Sequence, residues 1–509
     1  MGRFFKFPWY VIFISIYPAL FYWAFNATEM SSINGFKLAL FSLLFGLLCW
    51  GLFLVLFRNL GKASLVTFFA LLLFWSYGHL HNYLVTIHPL VFRHAVHLTV
   101  WVILFLLGFA WLFRKNPDVS KIASILNLTT AFLLVYPLIQ VVPRAINESQ
   151  TNKRKASQEI LAPIEDIQPV NLNSPPDVYY IILDSYTRKD VLQSYFSFDN
   201  SEFLAQLEGL GFYVANCSQS NYSQTRLSLS SSLNLKYLDD LYPIDPASKS
   251  VPYLIKRSVV QRIFEDWGYK TVAFETGHTN TELTDADVYY SRTLGFFKLT
   301  EFDLSFLETS FLQAFMRESL IRADLLMAAQ YRARSLFVLD KLAATAKVEG
   351  PKFVFAHVLI PHPPFVLGPN GEAVVLDENT GDRQVDREIY KIGFVNQTIY
   401  TNTRILEILQ KVINDSETPP VIIVQGDHGP HVGKQQVTSI LNAYYLPGGY
   451  DGLYETITPV NTFRYIFNRY FGQNLEMEED VALWSSVNLP LEFEVIANDC
   501  TPDFQTSTP

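Results

Sequence analysis

The stretch PPVIIVQGDHGPH, residues 419–431, drives an apolar run straight into an aspartate and a histidine, Asp427 and His428. A carboxylate and an imidazole at the carboxyl end of a buried strand lie where open α/β sheets place their chemistry. The pair alone would equally suit a capping aspartate beside a surface histidine, so its meaning depends on partners elsewhere. Asp184 closes a second apolar run in YYIILDSYTR, and in NYSQTRLSLSSSLN a hydroxyl-rich loop is predicted to enter a helix at Thr225. Asp184, Thr225, Asp427 and His428 together form an oxygen and nitrogen donor set for one divalent ion. Mn²⁺, Mg²⁺ or Zn²⁺ suit it, with Ca²⁺ a poorer match. A metal on the Thr225 oxygen would lower its pKa and aim it at an electrophile. The helix N-terminus beneath would help hold an anionic group under attack.

Taken singly, each residue has a plainer role: Thr225 as a helix cap, Ser228 to Ser232 as a solvated helix face, Asp184 as a cap on the following turn. Only as a set do they point to chemistry. His362, in LIPHPPFVLG, follows an apolar strand and precedes two prolines that fix φ and lack N–H groups, so its imidazole is held at a set angle. His357, inside FVFAHVLI, reads as a buried, hydrogen-bonded core residue rather than a ligand. His431 reads as a solvent-facing loop residue.

The elements that must position these side chains alternate. DVYYIILD, KTVAFE, KFVFAHVLI, PVIIVQ and LNAYYLP are strand-like, and DNSEFLAQLEGLGF is a helix with an Asp/Asn start and a glycine stop. Further helical stretches lie around 255–266, 311–347 and 385–414. This pattern predicts a mostly parallel sheet covered by helices on both faces.

Ahead of that domain the chain is different. The first 145 residues carry ten Lys/Arg and two acids, Glu29 and Asp118, with apolar runs at roughly 8–25, 38–57, 63–80, 95–113 and 122–142. A bilayer-crossing helix needs ~20 apolar residues, so five transmembrane helices are expected. The first has no small-residue cleavage site and reads as a helix rather than a removable signal. Arg3 and Lys6, Arg58 and Lys62, and Arg114, Lys115 and Lys121 mark alternate ends, which places the N-terminus in the cytoplasm and everything after the fifth helix outside. The basic cluster Lys153, Arg154 and Lys155 opposes that placement. The expected division is a transmembrane domain 1–145, a polar linker 146–174, a catalytic domain 175–480 and a tail 481–509. His79, His81, His88, His94 and His97 gather near the outer ends of the third and fourth helices and read as interfacial residues.

After residue 145 the chain carries 46 acids against 29 bases. Bulk attraction will not bring nucleic acid to such a surface, and no nucleic-acid motif appears. Any anionic substrate must be held locally, by a metal or a helix end. Of three cysteines Cys49 lies in a membrane run, leaving Cys217 and Cys500 as the pair able to bridge in an oxidising compartment.

On the motifs LDSY, TRLSLSSSLN, GYKTVAF, PHPPF, VQGDHG and TPVNTFRYIFN, the chain resembles the sulfatase-like branch of the alkaline phosphatase superfamily. In plan it is similar to lipoteichoic acid synthases and phosphoethanolamine transferases, which join five membrane helices to an extracytoplasmic catalytic domain. The resemblance spans about residues 175 to 470. It implies metal ligation by Asp184, Thr225, Asp427 and His428, with Thr225 as nucleophile and His362 facing the substrate phosphoryl group. His278, in FETGHTNTE, lies where lipoteichoic acid synthases similarly show a substrate-side histidine, although a surface loop suits it as well.

Departures narrow the implication. Thr225-Arg226-Leu227-Ser228-Leu229 replaces the C/S-x-P-S-R run from which sulfatases make formylglycine. No additional Asp-x-x-x-His lies away from the Asp427-His428-Gly429 element, so one ion is expected rather than two. The cysteine-rich pattern of phosphoethanolamine transferases is missing, which puts transfer to lipid A in doubt. The expected activity is transfer or hydrolysis of a phosphoryl-linked group on a membrane lipid or envelope polymer, through a phospho-threonine intermediate. Simple sulfate or phosphate ester hydrolysis is the alternative, and non-catalytic binding of an envelope glycan is a third.

Overall fold

The structure is a computed structural model that describes residues 7–26, 30, 32–87, 94–115, 118–151, 167, 175–241, 251–292, 300–316, 323–374, 376, 383–486 and 489–500. The linker 146–174 falls largely outside these residues. So do Arg3, Lys6, His88 and the Lys153–Lys155 cluster. Two compact units form: Met1–Ala156 with Thr293–Met327, and Ser157–Arg292 with Ala328–Pro509.

The first unit holds five helices, α1 (Trp9–Phe25), α2 (Ser32–Phe57), α3 (Leu60–Ile87), α4 (His94–Lys115) and α5 (Val119–Thr151). Helices α2 to α5 contain windows long and apolar enough to cross a membrane, whereas α1, with 17 residues, is shorter. A strongly apolar helix that is buried along its length belongs inside a bundle. In α1, Tyr10, Val11, Ile14, Ala19 and Leu20 are all buried. Its first turn is held from α5: Asn127 Oδ1 accepts from the Tyr10 amide at 2.8 Å, and Asn127 Nδ2 donates to the Phe7 carbonyl at 2.9 Å. Farther along, the rings of Phe21 and Tyr136 lie 6.3 Å apart, so α1 and α5 run side by side in the same direction.

The histidines of α3 and α4 are unequally exposed. His79 is exposed, but His81, His94 and His97 are buried. The His81 ring stacks on His94 at 3.8 Å and its Nδ1 lies 3.1 Å from His97 Nδ1, with Tyr77 hydrogen-bonded to His94. Facing turns of two adjacent helices bring these rings together, so His81, His94 and His97 pack against one another.

The second unit is built on a seven-stranded sheet in the order β2-β7-β6-β1-β5-β3-β4. The strands are β1 (Val178–Leu183), β2 (Phe212–Val214), β3 (Lys270–Phe274), β4 (Val288–Tyr290), β5 (Lys352–Val358), β6 (Val421–Gly426) and β7 (Asn442–Tyr445). β1 pairs parallel with β5 and β6, and β3 pairs parallel with β4 and β5. β7 runs antiparallel to β6 and to β2. β1, β5 and β6 are buried at every position, the mark of strands covered on both faces.

Alternate residues feed two cores. Tyr179, Ile181 and Leu183 join Ile405, Leu409 and Val412 on one face. Val178, Tyr180 and Ile182 join Leu227, Phe264, Phe463 and Phe467 on the other. The helices supplying these residues are α6 (Thr225–Ser232), α7 (Val259–Asp266), α8 (Arg383–Asp415) and α9 (Pro459–Phe471).

The helical stretch expected around 255–266 is two helices, Val251–Lys256 and α7, separated where the Ser258 hydroxyl accepts from the Gln261 amide and caps α7. The stretch expected at 311–347 is likewise not continuous: it comprises Gln313–Met316, Ala323–Leu342 and a 3₁₀ turn, Ala343–Lys347. Its first part groups with the membrane helices, so the soluble half of the chain is interrupted by a segment of the other unit. At the end of the chain β8 (Ala482–Trp484) and β9 (Glu494–Ile496) form a separate pair. Cys217 and Cys500 are bridged across 283 residues, with Cα atoms 5.4 Å apart.

Candidate metal centre and active site

The sheet register brings the predicted residues together. Leu183 on β1 is level with Gly426 on β6 and with Val358 on β5, so the next residue along puts Asp184 beside Asp427. Asp184 and Asp427 leave the sheet at its carboxyl edge. Ser185 then turns with φ +64°, and its amide donates to Asp427 Oδ1 at 3.1 Å, which ties the two strand ends together. Gly429 follows His428 because the backbone closes tightly there. A Cβ at Gly429 would meet the Gln436 carbonyl at 2.0 Å.

Thr225 is the first residue of α6, after Gln224 in extended conformation. Its Oγ1 lies 3.2 Å from His428 Nε2. His428 Nδ1 donates to the Gly429 carbonyl at 2.7 Å, which leaves Nε2 as the nitrogen with a lone pair facing the site. From that Nε2 it is 3.7 Å to Asp184 Oδ1 and 3.6 Å to Asp427 Oδ2. Ligand atoms of Asp184, Asp427 and His428 all lie within 4.8 Å of one another, and all three residues are buried. Asp427 Oδ2 is buried without a hydrogen-bond partner. Two buried carboxylates on one imidazole nitrogen leave negative charge uncompensated. A divalent cation fits the donor set of Asp184, Asp427 and His428, and the Thr225 hydroxyl lies beside it.

Around this centre stand further histidines. His357, on β5, is buried, and its Nδ1 lies 2.9 Å from the Thr281 hydroxyl. Its Nε2 lies 3.3 Å from Asp184 Oδ2, within reach of charge attraction. The His362 amide donates to the Asp184 carbonyl at 3.1 Å, and its ring centre is 6.3 Å from that of His428. The His362 Nδ1 bonds the Pro363 carbonyl.

Electrostatics follow from this crowding. Burial alone would raise the Asp184 carboxyl, but the imidazoles of His362, His357 and His428 outweigh it and hold that carboxyl well below the usual range. Burial alone would lower His428, and the Asp427 and Asp184 carboxylates reverse the sign and raise it. Burial, with His357 beside it, pushes the His278 imidazole down to about 4.

No protein-family model and no curated protein matches the chain. Solved structures do. The C-terminal periplasmic domain of EptC from Escherichia coli, in complex with Zn, is similar at TM-score 0.45 and 13% identity, over 67% of this chain and 98% of that one. The integral membrane lipooligosaccharide phosphoethanolamine transferase EptA from Neisseria meningitidis is similar at TM-score 0.37 and 14% identity, over 91% of this chain and 95% of that one. The lipoteichoic acid synthase LtaP from Listeria monocytogenes is similar at TM-score 0.38 and 12% identity, over 62% and 78%.

Of the residues singled out in the sequence, Asp184, Thr225, Asp427 and His428 converge. His362 stands beside them, and the His278 ring is 6.1 Å from that of His357. His431 is exposed, with its ring 4.8 Å from His428. His357 is the core residue expected, yet it also reaches a predicted ligand. Its signal was the lone ionisable side chain inside the apolar part of a strand. Sequence reading also passed over Ser485, whose hydroxyl accepts from Gln224 Nε2 at 3.1 Å and whose amide donates to the Ser223 hydroxyl at 3.2 Å. The C-terminal segment thereby braces the loop that presents Thr225.

Proposed function

We propose that the chain is a membrane-anchored, metal-dependent enzyme that moves a phosphoryl-linked group from a phospholipid headgroup or envelope polymer, through a phosphoester on Thr225. One observation carries this reading: the Thr225 hydroxyl meets His428 Nε2 at 3.2 Å, where two buried carboxylates also converge. A bound divalent ion supplies charge that lowers the pKa of the Thr225 hydroxyl and neutralises the attacked phosphate. Asp184, Asp427 and His428 would hold that ion, and His357 would orient Asp184.

Thr225, at the N-terminus of α6, loses its hydroxyl proton to solvent and attacks phosphorus. An oxygen–phosphorus bond forms, the bond from phosphorus to the leaving alcohol breaks, and the alkoxide takes the Nε2 proton of His362 in its imidazolium form, leaving the neutral ring with its Nδ1–H on the Pro363 carbonyl. The dipole of α6, which begins at Thr225, favours the anion at this end. An acceptor hydroxyl or water then reverses the sequence and frees Thr225. The substrate class follows from the motif resemblance and from the apolar anchor.

In this reading α1 crosses the membrane as well. At ~1.5 Å per residue its 17 residues reach ~26 Å, and it runs alongside α5 in the same direction. Five crossings from a cytoplasmic N-terminus then leave the catalytic domain outside. Intact-protein mass spectrometry after incubation with envelope phospholipids tests the function. A mass added on Thr225 names the transferred group, and an unmodified Thr225 under turnover and rapid acid quench would remove the covalent intermediate.

A further inference from the structure

Residues 300–316, TEFDLSFLETSFLQAFM, follow β4 in sequence but pack with the membrane helices. Thr300 caps a helix, Glu301–Glu308, through a reciprocal capping box with Asp303. Asp303 also pairs with Lys37 of α2 at 2.5 Å, both side chains being nearly buried. Phe306 is buried, its ring 4.9 Å from Trp75 and 5.4 Å from Tyr22. Beyond the helix the backbone itself engages α3. The Gly78 amide donates to the Thr309 carbonyl at 3.1 Å, and the Phe311 amide donates to the Phe74 carbonyl at 2.7 Å. Gly78 permits this approach, since a Cβ there would meet the Glu308 carbonyl at 2.4 Å. Gln313 Nε2 donates to Asn82 Oδ1 at 2.7 Å.

The depth of these contacts is set by counting along α3. Phe74 and Gly78 lie 12 and 16 residues beyond Lys62, the basic inner end. At ~1.5 Å per residue that is ~18–24 Å into a hydrocarbon layer of ~30 Å. The segment therefore meets α3 inside the outer leaflet. Irregular backbone at that depth requires protein partners for its polar groups, and the two backbone bonds to α3 supply them for Thr309 and Phe311. By the same count Lys37 lies 21 residues before Arg58, ~31 Å from the inner end, so its pair with Asp303 stands at the outer boundary, where the segment enters the layer. Meanwhile Leu312 is 36% and Phe315 47% exposed, and the Phe315 ring lies 5.6 Å from that of Phe311, whose amide is bonded to α3.

We infer that residues 300–316 form a re-entrant segment seated in the outer leaflet, held to α3 by backbone hydrogen bonds, with Leu312 and Phe315 facing acyl chains. The inference rests on α3 crossing the membrane and is independent of the chemistry at Thr225. The surface it assigns is a lipid contact made by a chain segment that lies, in sequence, within the catalytic half.

The test uses the full chain in phospholipid vesicles. Cys49→Ala removes the free thiol, and Leu312→Cys or, separately, Phe315→Cys carries an environment-sensitive fluorophore. Lys411→Cys, at an exposed position on α8, serves as the aqueous control. Expected for both test positions are blue-shifted emission, loss of fluorescence with acyl-chain nitroxide lipids, and little loss with iodide. Iodide quenching equal to that at Lys411→Cys would overturn the inference. Protection from both quenchers would overturn it too, because the face would then be covered by protein, such as a second copy. Adding Gly78→Val to the Phe315→Cys chain should make the label iodide-accessible, and unchanged lipid quenching there would refute the seating on α3.

Discussion

Thr225 Oγ1 and His428 Nε2 lie 3.2 Å apart although 203 residues separate them in sequence. The contact joins the first residue of a helix to the end of a strand, and it is made by the one His428 nitrogen not committed to the Gly429 carbonyl. If Thr225 is the nucleophile, Thr225→Ala should fold and keep part of its metal affinity while turnover falls below ~0.1% of wild type. Thr225→Ser should retain activity. Near-normal turnover in the alanine variant, measured as phosphoryl group release, would dismiss Thr225 from that role.

One divalent ion is expected at the catalytic centre. Chelation should abolish turnover, and Mn²⁺, Mg²⁺ or Zn²⁺ should restore it. Elemental analysis should show His428→Ala and Asp427→Asn each lacking one equivalent relative to wild type. An unchanged metal content in both variants would place the ion elsewhere.

His357 is expected to act through Asp184. An imidazole that orients a ligating carboxylate typically contributes ~10–100-fold in metal affinity. His357→Ala should weaken metal binding by that scale, and raising the metal concentration should recover most of the turnover. A purely structural role would instead lower thermal stability without a metal-dependent rescue.

His362 is held by its amide on the Asp184 carbonyl and followed by two prolines, so its ring has little freedom. If its Nε2 serves the transferring group during attack, His362→Ala should lower the rate by ~10²-fold or more with metal content unchanged. Loss of the ion would make it a ligand, and near-normal turnover would make it a turn residue.

Topology is open to a direct check. A reporter fused after residue 160 should behave as extracytoplasmic. Cytoplasmic activity there would overturn both the five-helix count and the outside placement of the catalytic domain.

Sequence alone marked the four residues that converge because three of them sit at strand ends and the fourth at a helix start. Apolar runs that stop at Asp184 and at Asp427-His428 are visible one residue at a time, and Thr225 is marked by a hydroxyl-rich entry to a helix. The five apolar helices were legible for the same reason, since near-spanning runs need no tertiary partner to be seen. The bridge between Cys217 and Cys500 was legible by elimination. Only tertiary structure decided what depends on register and on long-range contact. Asp184 lies beside Asp427 because β1 pairs in parallel with β6, and His357 reaches Asp184 because β5 flanks the other side of β1. The burial of His81, His94 and His97 needed two helices to face each other. Residues 300–316 show the limit most clearly: their pattern is that of a short amphipathic helix, and nothing local distinguishes a soluble core from a membrane bundle as its partner. That choice was made by Gly78, whose missing side chain opens α3 to another backbone, and by Lys37, whose charge is neutralised by Asp303.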